Sequence, residues 1–145
     1  MTNATFATLN DLIQTCRDGE HGFRTAAQHV ETPELRRLFD TYANQRRDFA
    51  AELAAEMERL GGEPVQSGSV LGSLHRGWMG MRSTVRPVDD DALVTECARG
   101  EDSARQAYES ALAGDLTPPV RPMIEHQLAR IVQAHARIRE LDRAA

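Results

Sequence analysis

Lysine is absent from this chain: all 17 basic residues are arginine, set against 22 acidic ones for a net charge of -5. The arginines are scattered among acidic neighbours, so there is no basic stripe of the kind that tracks a phosphate backbone, and no nucleic-acid partner is expected. Arginine-only usage reflects genome composition rather than a binding task. Long apolar runs are also missing. No segment approaches the roughly 18 to 20 apolar residues of a membrane span, and the opening MTNATFATLNDL has neither a charged n-region nor a continuous apolar stretch. The expectation is a soluble, cytoplasmic protein with no membrane partner. The only two cysteines, Cys16 and Cys97, are too far apart in sequence to form a disulfide framework or a zinc site by themselves. Aromatics are scarce and alanine abundant. At 145 residues the chain suits one domain, spanning 1–145.

What is present is helical periodicity. Phe6, Leu9, Ile13, Cys16, Glu20, Phe23, Ala27 and Val30 recur in steps of three and four, the seam of a long amphipathic helix. Thr32-Pro33 interrupts it as an N-cap and first helical position. A second seam runs through Leu35, Leu38, Tyr42, Gln45, Phe49, Leu53, Met57 and Leu60, and stops at Gly61-Gly62. From Gly61 to Asp89 the composition turns to Gly, Pro, Ser and Val, a long connection. Within it Leu71, Leu74, Trp78, Met81 and Val85 predict a short amphipathic helix lying on the bundle. Asp89-Asp90-Asp91 places negative charge at the start of a third helix, whose inner face is Val94, Cys97, Glu101, Ala104, Tyr108 and Ala111. Gly114-Asp115 and Thr117-Pro118-Pro119 make the next turn. A fourth helix carries Val120, Ile124, Gln127, Ile131, Ala134, Ile138 and Leu141, with Leu128 and His135 beside that line.

This pattern predicts an all-α four-helix bundle of two helical hairpins joined by a long crossover. A helix of about 25 residues is roughly 37 Å long, which the middle segment can cover. That makes the first and third helices antiparallel. Cys16 and Cys97 then stand at different levels, roughly 12 Å apart along the axis, and form no disulfide.

One motif occurs twice. Cys16, Gly19, Glu20, Arg24 and Ala26 recur as Cys97, Gly100, Glu101, Arg105 and Ala107. Both glutamates fall on apolar seams, and buried carboxylates are costly unless paired, protonated or bound to metal. Reflection through the two turns sets Gln45 opposite Glu20 and Gln127 opposite Glu101. The expectation is a mid-bundle polar layer of Glu20, Gln45, Glu101 and Gln127.

That layout resembles the ferritin-like superfamily, in which the first and third helices each give a Glu, and the second and fourth each a Glu-x-x-His pair, to a di-iron site. LNDLIQTCRDGEHGF, FAAEL, RLGGEP, GSVLGSLHRGW and ECARGED resemble more closely a bacterial four-helix-bundle family of unknown function within that superfamily, over about Leu9 to Leu141. The resemblance implies a ferritin-like fold and no particular activity. Glu20 and Glu101 match the single glutamates. Gln45-Arg46-Arg47-Asp48 and Gln127-Leu128-Ala129-Arg130 stand where Glu-x-x-His belongs, so both histidines of the di-iron set are absent.

Three readings of the layer follow. The preferred one is structural: protonated or charge-shared Glu20 and Glu101, hydrogen-bonded by the glutamines, fix the register. The second is a metal site on Glu20, Glu101 and His135, with Asp48 or Glu125, binding iron or manganese. The third, acid–base catalysis by the two carboxylates, lacks a nucleophile, pocket or cofactor signature. Arg24 and Arg105 follow their glutamates by four residues, a spacing that allows intrahelical ion pairs. His75, Arg76 and Trp78 read as crossover anchoring or a small-molecule or partner site, and Leu60, Trp78 and Met81 as a homo-oligomer interface. His21, His29 and His126 read as solvated, and the cysteines as small buried hydrophobes. The overall expectation is a non-enzymatic interaction or stress-associated protein without a cofactor. The alternative is a di-iron or di-manganese oxidase-like protein with a non-standard ligand set.

Overall fold

A computed structural model describes residues 3–65 and 89–144. Four α-helices account for most of them: α1 (Asn3–His29), α2 (Pro33–Arg59), α3 (Asp90–Ala113) and α4 (Arg121–Ala144). The crossover helix expected at Leu71–Val85, with His75, Arg76, Trp78 and Met81, lies outside the described residues.

The ends of the helices form where local chemistry provides for their orphan backbone groups. Thr32 holds the N-cap position of α2 and Pro33 opens the helix, but the Thr32 side chain does not cap it. The hydroxyl donates instead to Asp90, whose carboxylate also accepts the amides of Glu31 at 2.8 Å and Thr32 at 3.0 Å. One carboxylate at the start of α3 thus ties down the α1–α2 turn. At the other end of α2, Gly61 takes φ +92°, and the Gly61 and Gly62 amides bond back to the carbonyls of Glu58 and Met57. A left-handed residue closing a helix in this way is best supplied by glycine. Asp89 caps α3 by accepting the Ala92 amide at 2.8 Å.

Contacts between helices give their directions. Thr5, near the start of α1, bonds Thr117 just beyond α3 at 3.2 Å; Cys16 meets Tyr108; Thr32, just beyond α1, meets Asp90 at the start of α3. The residue pairs run in opposite order, so α1 and α3 are antiparallel. A side chain at Gly62 would strike Phe6, which puts the exit of α2 at the beginning of α1. The exit of α2 and the start of α3 therefore lie at opposite ends of α1.

Apolar side chains form two clusters. One gathers Leu9, Ile13, Leu53, Met57, Tyr108 and Ile124 among others; the second gathers Phe23, Ala27, Phe39, Leu93, Val94 and Ile138. Cys16 belongs to the first and Cys97 to the second, and both are buried free thiols. Because Cys16 sits against Tyr108, eleven residues past Cys97, the sulfurs are separated by roughly 16 Å along α3, at its rise of 1.5 Å per residue. Between the clusters lie Glu20, Arg46, Glu101 and His135. No described helix is long and apolar enough to cross a membrane.

Candidate functional site

The inner stripe of α2 is Phe39, Ala43, Arg46, Phe49, Ala50, Leu53 and Met57. At the middle turn it is therefore Arg46, one residue on from the expected Gln45, that faces the core. Its side chain is 1% exposed and that of Glu101 is 2%. The two guanidinium nitrogens Nη1 and Nη2 donate to Oε1 and Oε2 of Glu101, the second at 2.6 Å, a bidentate fork. Nε–H of Arg46 donates to Oε1 of the Gln45 side chain at 3.3 Å. The guanidinium carbon lies 5.4 Å from the centroid of the Phe23 ring, which offers its electron-rich face to the cation. Burial works against the charge of Arg46. The hydrogen-bonded Glu101 carboxylate outweighs it, and the arginine pKa lies above its ordinary value.

Room for this side chain comes from Gly19. A Cβ there would stand 3.3 Å from Cγ and 3.5 Å from Nη1 of Arg46. Gly100, its counterpart in the repeated motif, is exposed and a Cβ there meets nothing within 4 Å. The glutamates differ in the same way. Glu101 is buried, whereas the side chain of Glu20 is 32% exposed and pairs with Arg24 at 3.7 Å. Arg24 also reaches Asp40 at 3.3 Å and Asn44 at 3.0 Å. Of the two ion pairs that the spacing allows, Arg105–Glu101 does not form: Arg105 faces outward to Asp102 and Glu109.

Gln127 is fully buried, one step into the first cluster. Its Oε1 accepts the Tyr108 hydroxyl at 2.7 Å, and its Nε2 donates to Glu52 at 3.0 Å and to the Phe49 carbonyl at 3.4 Å. Since the single phenolic proton goes to Gln127, the Cys16 thiol must be the donor in its 3.0 Å contact with the Tyr108 oxygen. Burial pushes the Cys16 thiol up to about 11 and the Tyr108 phenol well above its usual range, so both stay protonated. Of the four residues assigned to one layer, Glu101 and Gln127 are thus buried in separate hydrogen-bond sets. Gln45 is half-buried as an acceptor for Arg46, and Glu20 lies at the margin.

His135 is buried at the level of the ion pair. Desolvation lowers its pKa, while the Glu101 and Asp102 carboxylates oppose that shift. Among the described residues no group of three or more His, Cys, Asp or Glu side chains converges as metal ligands. Both Glu101 oxygens are already taken by a cation, Glu20 is turned to Arg24, and Asp48 and Glu125 are exposed. The described residues do not fit a di-iron or di-manganese centre. Of the histidines read as solvated, His126 is exposed and His29 is half-buried with Nδ1 2.7 Å from the Thr25 carbonyl oxygen.

Beside the ion pair, α1 and α3 leave a cleft of about 200 Å³ lined by Asp18, Gly19, Gly22, Phe23, Cys97 and Gly100, with Glu101 on its wall. Neither Asp18 nor the inward turn of Arg46, which stands in the segment where Glu-x-x-His belongs, is marked by the apolar periodicity. The available signals were two helix-disfavouring glycines three residues apart in α1, and an arginine spaced between Ala43 and Ala50.

Residues 4–114 match the model of a family described as Domain of unknown function (DUF2383). No curated protein matches the chain.

Proposed function

The chain belongs to that family, and from this premise we propose a ferritin-like bundle that acts as a non-enzymatic interaction or stress-associated protein, in which a buried arginine occupies the place of a metal centre. One observation carries the reading: the fork between Arg46 and Glu101, closed to solvent on both sides. A carboxylate in a bundle core needs a counter-charge, and a guanidinium supplies it without iron. The antiparallel α1 and α3 support the ferritin-like comparison, as do the opposite-end positions of the exit of α2 and the start of α3. The role proposed is cytoplasmic, with a second copy or another protein as partner.

A metal-binding, oxidase-like protein is the competing reading, and titration separates the two. Protein purified without a metal-binding tag is analysed for elements, then titrated with Fe²⁺ and Mn²⁺, as wild type and as Glu20→Ala and Glu101→Ala. The expected result is no stoichiometric metal in wild type under either condition. Metal bound at one or two equivalents and lost in either variant would overturn the proposal.

A further inference from the structure

We infer that the cleft between α1 and α3 is a binding site for a small organic cation, an ammonium group on a compact apolar body, with Asp18 as its anchor. The site is independent of the reading of the Arg46–Glu101 pair as a metal substitute.

Apart from the Ser103 hydroxyl and the Cys97 thiol, which carry protons of their own, the polar side chains of the cleft present acceptors. Oδ1 of Asp18 is enclosed and has no hydrogen-bond partner among the described residues. A buried acceptor left in that condition costs stability unless something supplies a proton to it. The Thr15 hydroxyl, also on the wall, donates its proton to the Asp11 carbonyl at 2.8 Å and keeps only lone pairs for a ligand. Glu101 is neutralised by Arg46, so Asp18 is the carboxylate left to compensate a ligand charge. No lysine or arginine lines the cleft, which argues against an anion. Desolvation raises the Asp18 pKa to about 6, the behaviour of a carboxyl group lacking a donor or cation beside it. An ammonium group placed there supplies both.

The remaining walls set the body of the ligand. Gly19, Gly22 and Gly100 leave backbone exposed to the cleft, and Phe23, Cys97 and Ala104 give apolar surface. The Cys97 thiol is held neutral by burial, so it adds no charge. A volume of about 200 Å³ exceeds the ~150 Å³ that accepts a benzene-sized guest in an apolar cavity. A single ring with a one-carbon ammonium arm is the size that fits.

The test is amide NMR of the full chain titrated with benzylamine and, as controls of similar shape, toluene and phenylacetate. Benzylamine is expected to shift the amides of Gly19, Gly22 and Gly100 saturably, with toluene and phenylacetate weaker by about tenfold or more, the worth of one charge-assisted contact. Asp18→Asn keeps the shape and removes the charge, so benzylamine should bind to it about tenfold more weakly. Gly100→Leu extends into space where a Cβ meets nothing within 4 Å, so this variant should stay folded and bind none of the probes. The inference is overturned if benzylamine leaves those glycine amides unmoved, if toluene binds as well as benzylamine, or if Asp18→Asn binds benzylamine as wild type does.

Discussion

Cutting the Arg46–Glu101 pair on one side and then on both tests the central claim about this core. Glu101→Gln keeps the side-chain shape but removes the charge, leaving a guanidinium 1% exposed with only neutral amide oxygens, the substituted one and that of the Gln45 side chain, and the Phe23 ring as compensation. Removing one partner of a buried ion pair costs about 3 to 5 kcal/mol, because the surviving charge stays desolvated. The cation–π contact and the flexible arginine stem return part of that, which places the expected loss at the lower end, about 3 kcal/mol. For a chain of this length that is roughly a 10 °C fall in Tm. Arg46→Met leaves a buried carboxylate, which can take up a proton, so its cost should be smaller, about 2 kcal/mol. The double variant Arg46→Met, Glu101→Leu carries no buried charge and should recover to within about 1 kcal/mol of wild type or exceed it. With Glu101→Leu added as the matching single variant, urea unfolding followed by circular dichroism gives all four corners of the cycle, with a coupling of several kcal/mol expected. If Glu101→Gln unfolds within about 0.5 kcal/mol of wild type, the pair is not dry and the argument fails.

Two further outcomes follow from the turns and the repeat. Asp90→Asn should cost about 1 to 2 kcal/mol at neutral pH by weakening the acceptor for Thr32 and the Glu31 amide. Burial raises the Asp90 pKa, but these bonds and Arg36 lower it further, to a net value below the usual 3.8; the wild-type advantage is therefore full above pH 3.8 and disappears as acid protonates the carboxylate, which a pH series of urea midpoints would show. Gly100→Ala, in open space on an exposed helical face, should stabilise by about 0.5 to 1 kcal/mol, whereas Gly19→Ala must displace the stem of Arg46 and should lose that gain; equal Tm changes in the two variants would contradict the placement of Arg46.

The seams of α1, α3 and α4 were legible because large apolar residues mark them, and Leu9, Ile13, Tyr108, Ile124 and Ile138 are all buried where the period puts them. The turns were legible for a similar reason: Gly61, Asp89 and Pro33 each meet a local backbone requirement that few residues can meet. On α2 Phe49, Leu53 and Met57 are buried where the period puts them, but in the first half of the helix the buried stripe runs one residue later than the expected seam. Tyr42 and Gln45 look more core-like than Ala43 and Arg46, yet the buried stripe runs through Phe39, Ala43, Arg46 and Ala50. Alanine contributes little to a hydrophobic pattern, and arginine is discounted as surface by default. The missing side chain of Gly19 leaves space for so long a side chain at mid-bundle. The i to i+4 spacing of Glu101 and Arg105 permits a pair without selecting it: Asp102 and Glu109 lie on the face of Arg105, whereas Glu101 points the other way.

The repeated Cys-x-x-Gly-Glu motif then has a physical meaning other than a pair of equivalent acids. A single buried arginine needs a single buried carboxylate; a second one at the same level would leave net negative charge in the core. In α3 the motif supplies that carboxylate through Glu101. In α1 it supplies Gly19, whose missing side chain admits Arg46, while Glu20 is turned outward to Arg24. The two copies are complementary halves of one ion-pair socket, so identical sequence motifs are used for opposite ends of the same interaction. A bidentate fork is also directional, and it tolerates little sliding of α2 against α3. We regard that as a hypothesis for why a charged pair is kept where apolar residues would be as stable: it specifies the register of an alanine-rich bundle whose small side chains specify it poorly. The single and double variants distinguish the two roles, since an apolar replacement that matches wild-type stability but broadens the amide spectrum has lost register, and one that keeps both has shown the pair to be dispensable.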